Sequence, residues 1–268
     1  MASDSAILLP DVPDWMLEWQ RRFPVGRTNY FRQTIPTGEL RTWETERCRL
    51  FTVREPDGFA RLYFHAASAA DLGSILSGIA VCEPLVVAIL CKQPMPDVHE
   101  IFEQSGFRWY DEYKRMMCRP LPPLDPDPLT EFASRPEALL IRAAMVSDFD
   151  PITSHFPNVA EFADWSERRW IPVRRNESKV TGYAVLRVLG RHAVFNYFKN
   201  DSAHPRDALL LIRQLQGELV RQGADSAELW VRHDNEKVIK LYQFFGWKFD
   251  GLSAQYLIRP PLQERNDS

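Results

Sequence analysis

The stretch Asn235-Glu-Lys-Val-Ile-Lys-Leu-Tyr-Gln-Phe-Phe-Gly246-Trp247 decides how this chain is read. Val238, Leu241, Tyr242 and Phe245 fall at i, i+3, i+4 and i+7, the spacing of one apolar stripe on an α-helix. Gly246 stands where a left-handed residue ends such a helix and a Cβ would cost energy. Asn235 stands where a side-chain oxygen caps its first turn. On these grounds alone the segment is an amphipathic helix laid on a sheet, and Tyr242 is a core aromatic.

Working outward, Glu228–Arg232 reads as the strand before this helix and Ser253–Ile258 as the strand after it. Further upstream, Lys179–Leu189 and Ala193–Lys199 are β-rich runs that turn at Gly190-Arg191-His192. A polar break over 200–204 follows, and Pro205 opens a helix over Ala208–Gln222 that Gly223 stops. Ala138–Val146 is expected to be a strand, Asp148–Phe156 and Asn158–Arg168 short helices, and Trp170–Val173 another strand. The order predicts an α/β fold with mixed, mostly antiparallel sheets flanked by helices, not a strict alternation of parallel strands.

The sharpest break is Arg119–Pro128, with five prolines in ten residues, which supports neither a helix nor a central strand. It divides the chain into 1–118, a connector over 119–128, and 129–268. The first part echoes the second. Ala60–His65, Asp71–Ala80, Leu85–Lys92 and Asp97–Phe107 repeat a strand, helix, strand, helix order. At an offset of 140, Phe102 matches Tyr242, Gly106 matches Gly246 and Phe107 matches Trp247.

Composition bounds the function. With 268 residues, 45% hydrophobic and a net charge of −3, the chain fits globular domains and lacks the basic excess of a general nucleic-acid binder. No apolar run has the length of a membrane span. The cysteines at 48, 82, 91 and 118 have no metal-ligand spacing and read as free thiols of a reducing cytoplasm. Met1–Ser5 has no basic region ahead of an apolar run, so a cytoplasmic location without a secretory signal is expected. Nucleophile-elbow, P-loop and dinucleotide-binding fingerprints are missing from the sequence.

The segment from Asn235 to Trp247 resembles the late helix-and-turn signature of the GNAT superfamily of N-acyltransferases. That signature has an Asn, a small residue three on, Leu-Tyr, and Gly-Phe four and five residues past the Tyr. Val238 stands in place of the usual Ala and Trp247 in place of the usual Phe. The resemblance covers 138–258 well and 60–117 weakly. It implies two GNAT-like domains in tandem, the first degenerate because Phe102 replaces the Tyr.

What the resemblance implies about chemistry is specific. Tyr242 would face the thioester sulfur and support thiolate departure, and Asn235 would contact the cofactor. A thiol titrates near ~8.5 and a phenol near ~10, so hydrogen bonding to the developing thiolate is a safer role than outright proton transfer. The backbone of Tyr197, Phe198 and Lys199 would hold the pantetheine arm and the oxyanion. His204, Arg206, Asp207 and Ala208 fall where the family binds the coenzyme A pyrophosphate on glycine-lined backbone N–H groups. Here there is no glycine, Pro205 removes a donor, and Asp201 and Asp207 add negative charge. His192 is the one candidate general base on the strand where some relatives carry Glu. Without a strong base, an acceptor amine of low pKa is favoured. Phe162, Trp165 and Trp170 lie where the family's early helices line the acceptor pocket.

The expected activity is acyl transfer, acetyl by default, from a coenzyme A thioester to an amine of a small molecule or peptide. An acyl group on an acyl carrier protein's phosphopantetheine is the second donor, suited to a degraded pyrophosphate loop. A non-catalytic module that binds a ligand or partner in the same cleft is the alternative from another class. No metal is expected.

Overall fold

The computed structural model describes residues 27–29, 40–79, 81–122, 131–154, 156, 158–176, 178–202 and 204–261. The N-terminal segment judged for a signal and most of the proline-rich connector, 123–128, lie outside them. In chain order the first half carries β1 (Arg27–Thr28), β2 (Leu40–Glu44), β3 (Cys48–Arg54), β4 (Ala60–Ala66), α1 (Ala69–Leu76), β5 (Leu85–Cys91), α2 (Pro96–Gln104) and β6 (Arg108–Cys118). The second carries β7 (Glu131–Phe132), α3 (Arg135–Asp148), α4 (Val159–Glu167), β8 (Pro172–Asn176), β9 (Lys179–Leu189), β10 (His192–Asn200), α5 (Pro205–Arg221), β11 (Ser226–Arg232), α6 (Glu236–Phe244) and β12 (Lys248–Arg259).

These elements form two compact units, Met1–Glu112 with Leu252–Ser268, and Tyr113–Gly251. The division differs from a cut at the prolines. From Ser253 to Arg259, β12 pairs antiparallel with β5 and so completes the first unit. Tyr113–Cys118 of β6 pairs antiparallel with β11 and belongs to the second. The start of the expected connector is also structural: Leu121 is buried, and its N–H donates to the Asp225 carbonyl at 2.9 Å. A strand edge left open in either unit would expose a row of unpaired backbone groups, and a strand from the other half of the sequence covers each.

In the second unit the sheet runs β6-β11-β10-β9-β8-β7, antiparallel except where β10 meets β11. Its core gathers Met116, Phe162, Trp165, Leu186, Phe195, Leu215, Tyr242 and Trp247. Each such side chain contributes about 1.5–3 kcal/mol by leaving water. The expected strand over Ala138–Val146 is instead part of the helix α3. Ser134 and Glu137 form a capping box at its start, and Ala138, Ile141 and Met145 make its buried stripe. Asp148–Phe156, expected as a helix, is turn and loop after Asp148, whereas α4 matches the helix expected over Asn158–Arg168.

The first unit repeats one local device. Gly106 and Gly246 both have φ of +84°. Phe107 N–H donates to the Phe102 carbonyl at 3.0 Å, as Trp247 N–H does to Tyr242 at 3.1 Å. The two helix ends therefore close in the same register, at the offset seen in the sequence. Gly73 has a packing reason, since a Cβ there would meet Ile101 Cδ1 of α2 at 3.1 Å.

Candidate functional site

The second unit contains a gap in its sheet. The parallel pairing of β10 with β11 runs from His192 opposite Ser226 to Phe195 opposite Leu229 and stops. Beyond it each strand keeps its outer neighbour, β10 staying with β9 as far as Asn200 and β11 with β6 as far as Arg232. The register of β10 with β11 therefore does not extend to 196–200.

A bulge between Phe195 and Tyr197 shapes this edge. One extra residue shifts the two-residue alternation of side chains by one position. Phe195 and Phe198 consequently share a side, with ring centroids 6.2 Å apart, although they are three residues apart. Both meet Tyr242, at 5.9 and 6.4 Å, and Trp247 closes the cluster 6.0 Å from Tyr242. α6 thus delivers Tyr242 to the point where the strands part.

The Tyr242 ring is buried, and burial pushes its phenol above the usual tyrosine range. Trp247 Nε1, beside it, is buried without a hydrogen-bond partner among the described residues. A buried donor without a partner costs about 1–3 kcal/mol. Asn235 caps α6, its side chain accepting from Val238 N–H at 3.4 Å.

On the other face, Tyr197 packs against Phe149 at 5.1 Å and Phe156 at 6.1 Å. The Lys199 ammonium pairs with Asp148 and lies 3.3 Å from Asp201, and its hydrogen bond to Asp148 raises its pKa. Tyr183, directly opposite Lys199 on β9, has a buried hydroxyl without a hydrogen-bond partner among the described residues. Burial first, then Asp148 and Asp201, raise its pKa.

The N-terminus of α5 is already engaged. Ser202 Oγ accepts from His204 N–H at 3.1 Å and donates to the Asp207 carboxylate, and Arg174 lies 3.7 Å from Asp207. A resident carboxylate thus sits in the first helical turn, where the positive end of the dipole favours an anion. Arg206 is exposed, and Ala208 lies one residue further along the helix.

Several expected site residues lie elsewhere. His192 is at the closed end of the β10/β11 pair, opposite Ser226, about 20 Å along the strand from Phe198 at ~3.3 Å per residue. Its ring contacts Ser226 Oγ at 3.2 Å and Glu228 at 3.5 Å. Phe162, Trp165 and Trp170 are core: each is at most 9% exposed, and Trp170 Nε1 donates to Gln222 at 2.9 Å. Phe149 and Phe156, which sequence reasoning passed over, pack on Tyr197 beside β10. Their aromatic character in a polar loop was the available signal. No cluster able to hold a metal ion occurs among the described residues.

Solved structures share this architecture at low sequence identity. A GCN5-related N-acetyltransferase from Sphaerobacter thermophilus aligns with TM-score 0.58 and 15% identity, over 81% of this chain and 78% of its own. One from Kribbella flavida aligns with TM-score 0.54 and 14% identity, over 83% and 90%. A tandem GNAT protein from the clavulanic acid biosynthesis pathway aligns with TM-score 0.53 and 11% identity, over 82% of each chain. No protein-family model matches the sequence, and none of the curated proteins does. The fold is that of the GNAT acetyltransferases. No helix among the described residues is long and apolar enough to cross a membrane.

Proposed function

We propose that the second unit is an N-acyltransferase that moves an acyl group, acetyl by default, from a coenzyme A thioester to an amine. The observation that carries this reading is the parting of β10 from β11 beside Tyr242. The edge of β10 that β11 leaves offers backbone hydrogen bonds to an extended pantetheine arm. The bulge offers N–H groups to a developing oxyanion.

A neutral amine attacks the thioester carbonyl, the C–N bond forms, and the C–S bond then breaks. Nitrogen loses a proton and sulfur gains one, so the products are an amide and a thiol. Tyr242 serves as hydrogen-bond donor to the departing sulfur. Its raised pKa makes it a poor source of a full proton and keeps the phenol neutral and donating. With His192 at the far end of the strand pair, the acceptor is an amine that arrives neutral. An α-amine near ~8 pays about 1 kcal/mol for this at pH 7, against about 4–5 for an ε-amine. Phe149, Phe156, Tyr197 and the Asp148–Lys199 pair line the acceptor side.

A second donor is favoured by one observation. Asp207 at the α5 N-terminus opposes a diphosphate. An acyl group on a carrier protein's phosphopantetheine needs no such cradle. The repeated helix end at Gly106 and Gly246, and the tandem GNAT neighbour, support reading the first unit as a second, degenerate copy with Phe102 in the tyrosine position.

Thermal shift with coenzyme A, with pantetheine and with a loaded carrier protein tests the donor. Protection by coenzyme A supports the first form, and protection by the carrier protein alone supports the second. No response to any of the three would remove the transferase reading and leave a binding module.

A further inference from the structure

The first unit has the same gap, and it is filled. β4 pairs in parallel with β5 only from Ala60 opposite Leu85 to Leu62 opposite Val87, while β3 stays paired with β4 from Ala60 to Ala66. On the edge that β5 leaves lies β1, antiparallel, with Arg27 opposite Ala66 and Thr28 opposite His65. Thr28 Oγ1 donates to the Phe64 carbonyl at 2.9 Å. Asn29, 3% exposed, completes the contact. Its Nδ2 donates to the Leu62 carbonyl at 2.9 Å, and its Oδ1 accepts from Phe64 N–H at 2.7 Å. Arg27 ties the segment to Asp97 in the first turn of α2, through Nε at 3.1 Å and Nη2 at 3.0 Å. Phe64 meets Phe102 at 5.5 Å, as Phe198 meets Tyr242 in the second unit.

We propose that Arg27–Asn29 is a strap that occupies this gap in place of an amide-bearing pantetheine arm, and that the first unit is a latent second site for such an arm. The inference rests on reading the gap of the second unit as the donor cleft. A carboxamide bonded to one carbonyl and one N–H, two residues apart on a strand edge, satisfies the groups that the amides of an extended pantetheine would engage. The strap is covalently attached, so its effective concentration is on the order of mM. Free ligand at micromolar levels does not displace it. With Phe102 in place of a tyrosine, the uncovered site binds without turnover.

Calorimetric titration of the full chain with coenzyme A and with pantetheine, for the wild type and Asn29→Ala, decides the matter. The expected stoichiometry is one site per chain in the wild type and two in Asn29→Ala. An unchanged number of sites in Asn29→Ala overturns the proposal, whether or not the Phe64 amide exchanges faster. No site in the wild type defeats the donor reading of the second unit, whereas a gain of one in the variant still supports the strap.

If Asn29→Ala does not fold, Arg27→Ala replaces it, since that ion pair is about two-fifths exposed on both sides. The Phe64 amide then exchanges at least tenfold faster than in the wild type, and millimolar pantetheine slows it again. Failure of pantetheine to slow it overturns the proposal.

Discussion

Phe195 of β10 stands opposite Leu229 of β11, and the register between these two strands ends at that pair. Because the bulge follows at once, Phe198 comes round to the same side as Phe195, and both rings rest on Tyr242. An end of pairing and a shift of alternation thus place a phenol beside the point where the two strands part.

Replacing Tyr242 by Phe keeps the ring packing and removes only the hydroxyl. Acyl transfer, followed as thiol release, is expected to fall about 10²-fold, the typical effect of losing one donor to a developing charge. The melting temperature is expected to hold, because the ring contacts to Phe195, Phe198 and Trp247 remain. An unchanged rate would remove Tyr242 from the reaction.

Asp207 gives a second test. Asp207→Ala takes a negative charge from the α5 N-terminus, worth about 1 kcal/mol there. Coenzyme A is expected to bind roughly fivefold tighter, while a carrier-protein thioester binds unchanged. Weaker binding of coenzyme A would show that Asp207 positions the loop and does not repel the ligand.

The α3 cap predicts a pH response. Hydrogen bonds from Arg175 and then Ser134 lower the Glu137 carboxyl from 4.5 to about 2. A depressed folded-state pKa contributes stability above pH 4.5 that is lost as pH falls toward 2. Glu137→Gln is therefore expected to flatten acid unfolding across that window and to lower stability at pH 7. Denaturant melts at stepped pH would show this, and parallel curves for the two proteins would refute it.

Gly246 isolates backbone strain. Its φ is +84°, and an added Cβ would meet nothing within 4 Å. Gly246→Ala is expected to cost about 1–2 kcal/mol from conformation alone, and Gly246→Asn less. Equal melting temperatures for glycine and alanine at this position would contradict the left-handed cap.

Asn235–Trp247 was legible because capping, helical spacing and a left-handed glycine are local properties of adjacent residues. The hairpin of β9 and β10 and the helix α5 were legible for the same reason. The strand expected over Ala138–Val146 was a local misreading: Ser134 and Glu137 announce a helix, but the apolar run outweighed them. The places of His192, Trp165 and Trp170 were not legible, since how far a residue lies from a gap or a core is not a property of its neighbours in sequence.

The amino-acid sequence alone determined the helix ends at Gly106 and Gly246, the hairpin, and the tyrosine on one helix against phenylalanine on the other. The tertiary structure decided which strand closes each unit, where β10 leaves β11, and that Arg27–Asn29 fills one gap. Local conformation follows from short-range sterics and hydrogen bonds that adjacent residues carry with them. Strand edges are satisfied by whichever distant segment the folded chain brings alongside, and that choice is made only when the sheets assemble.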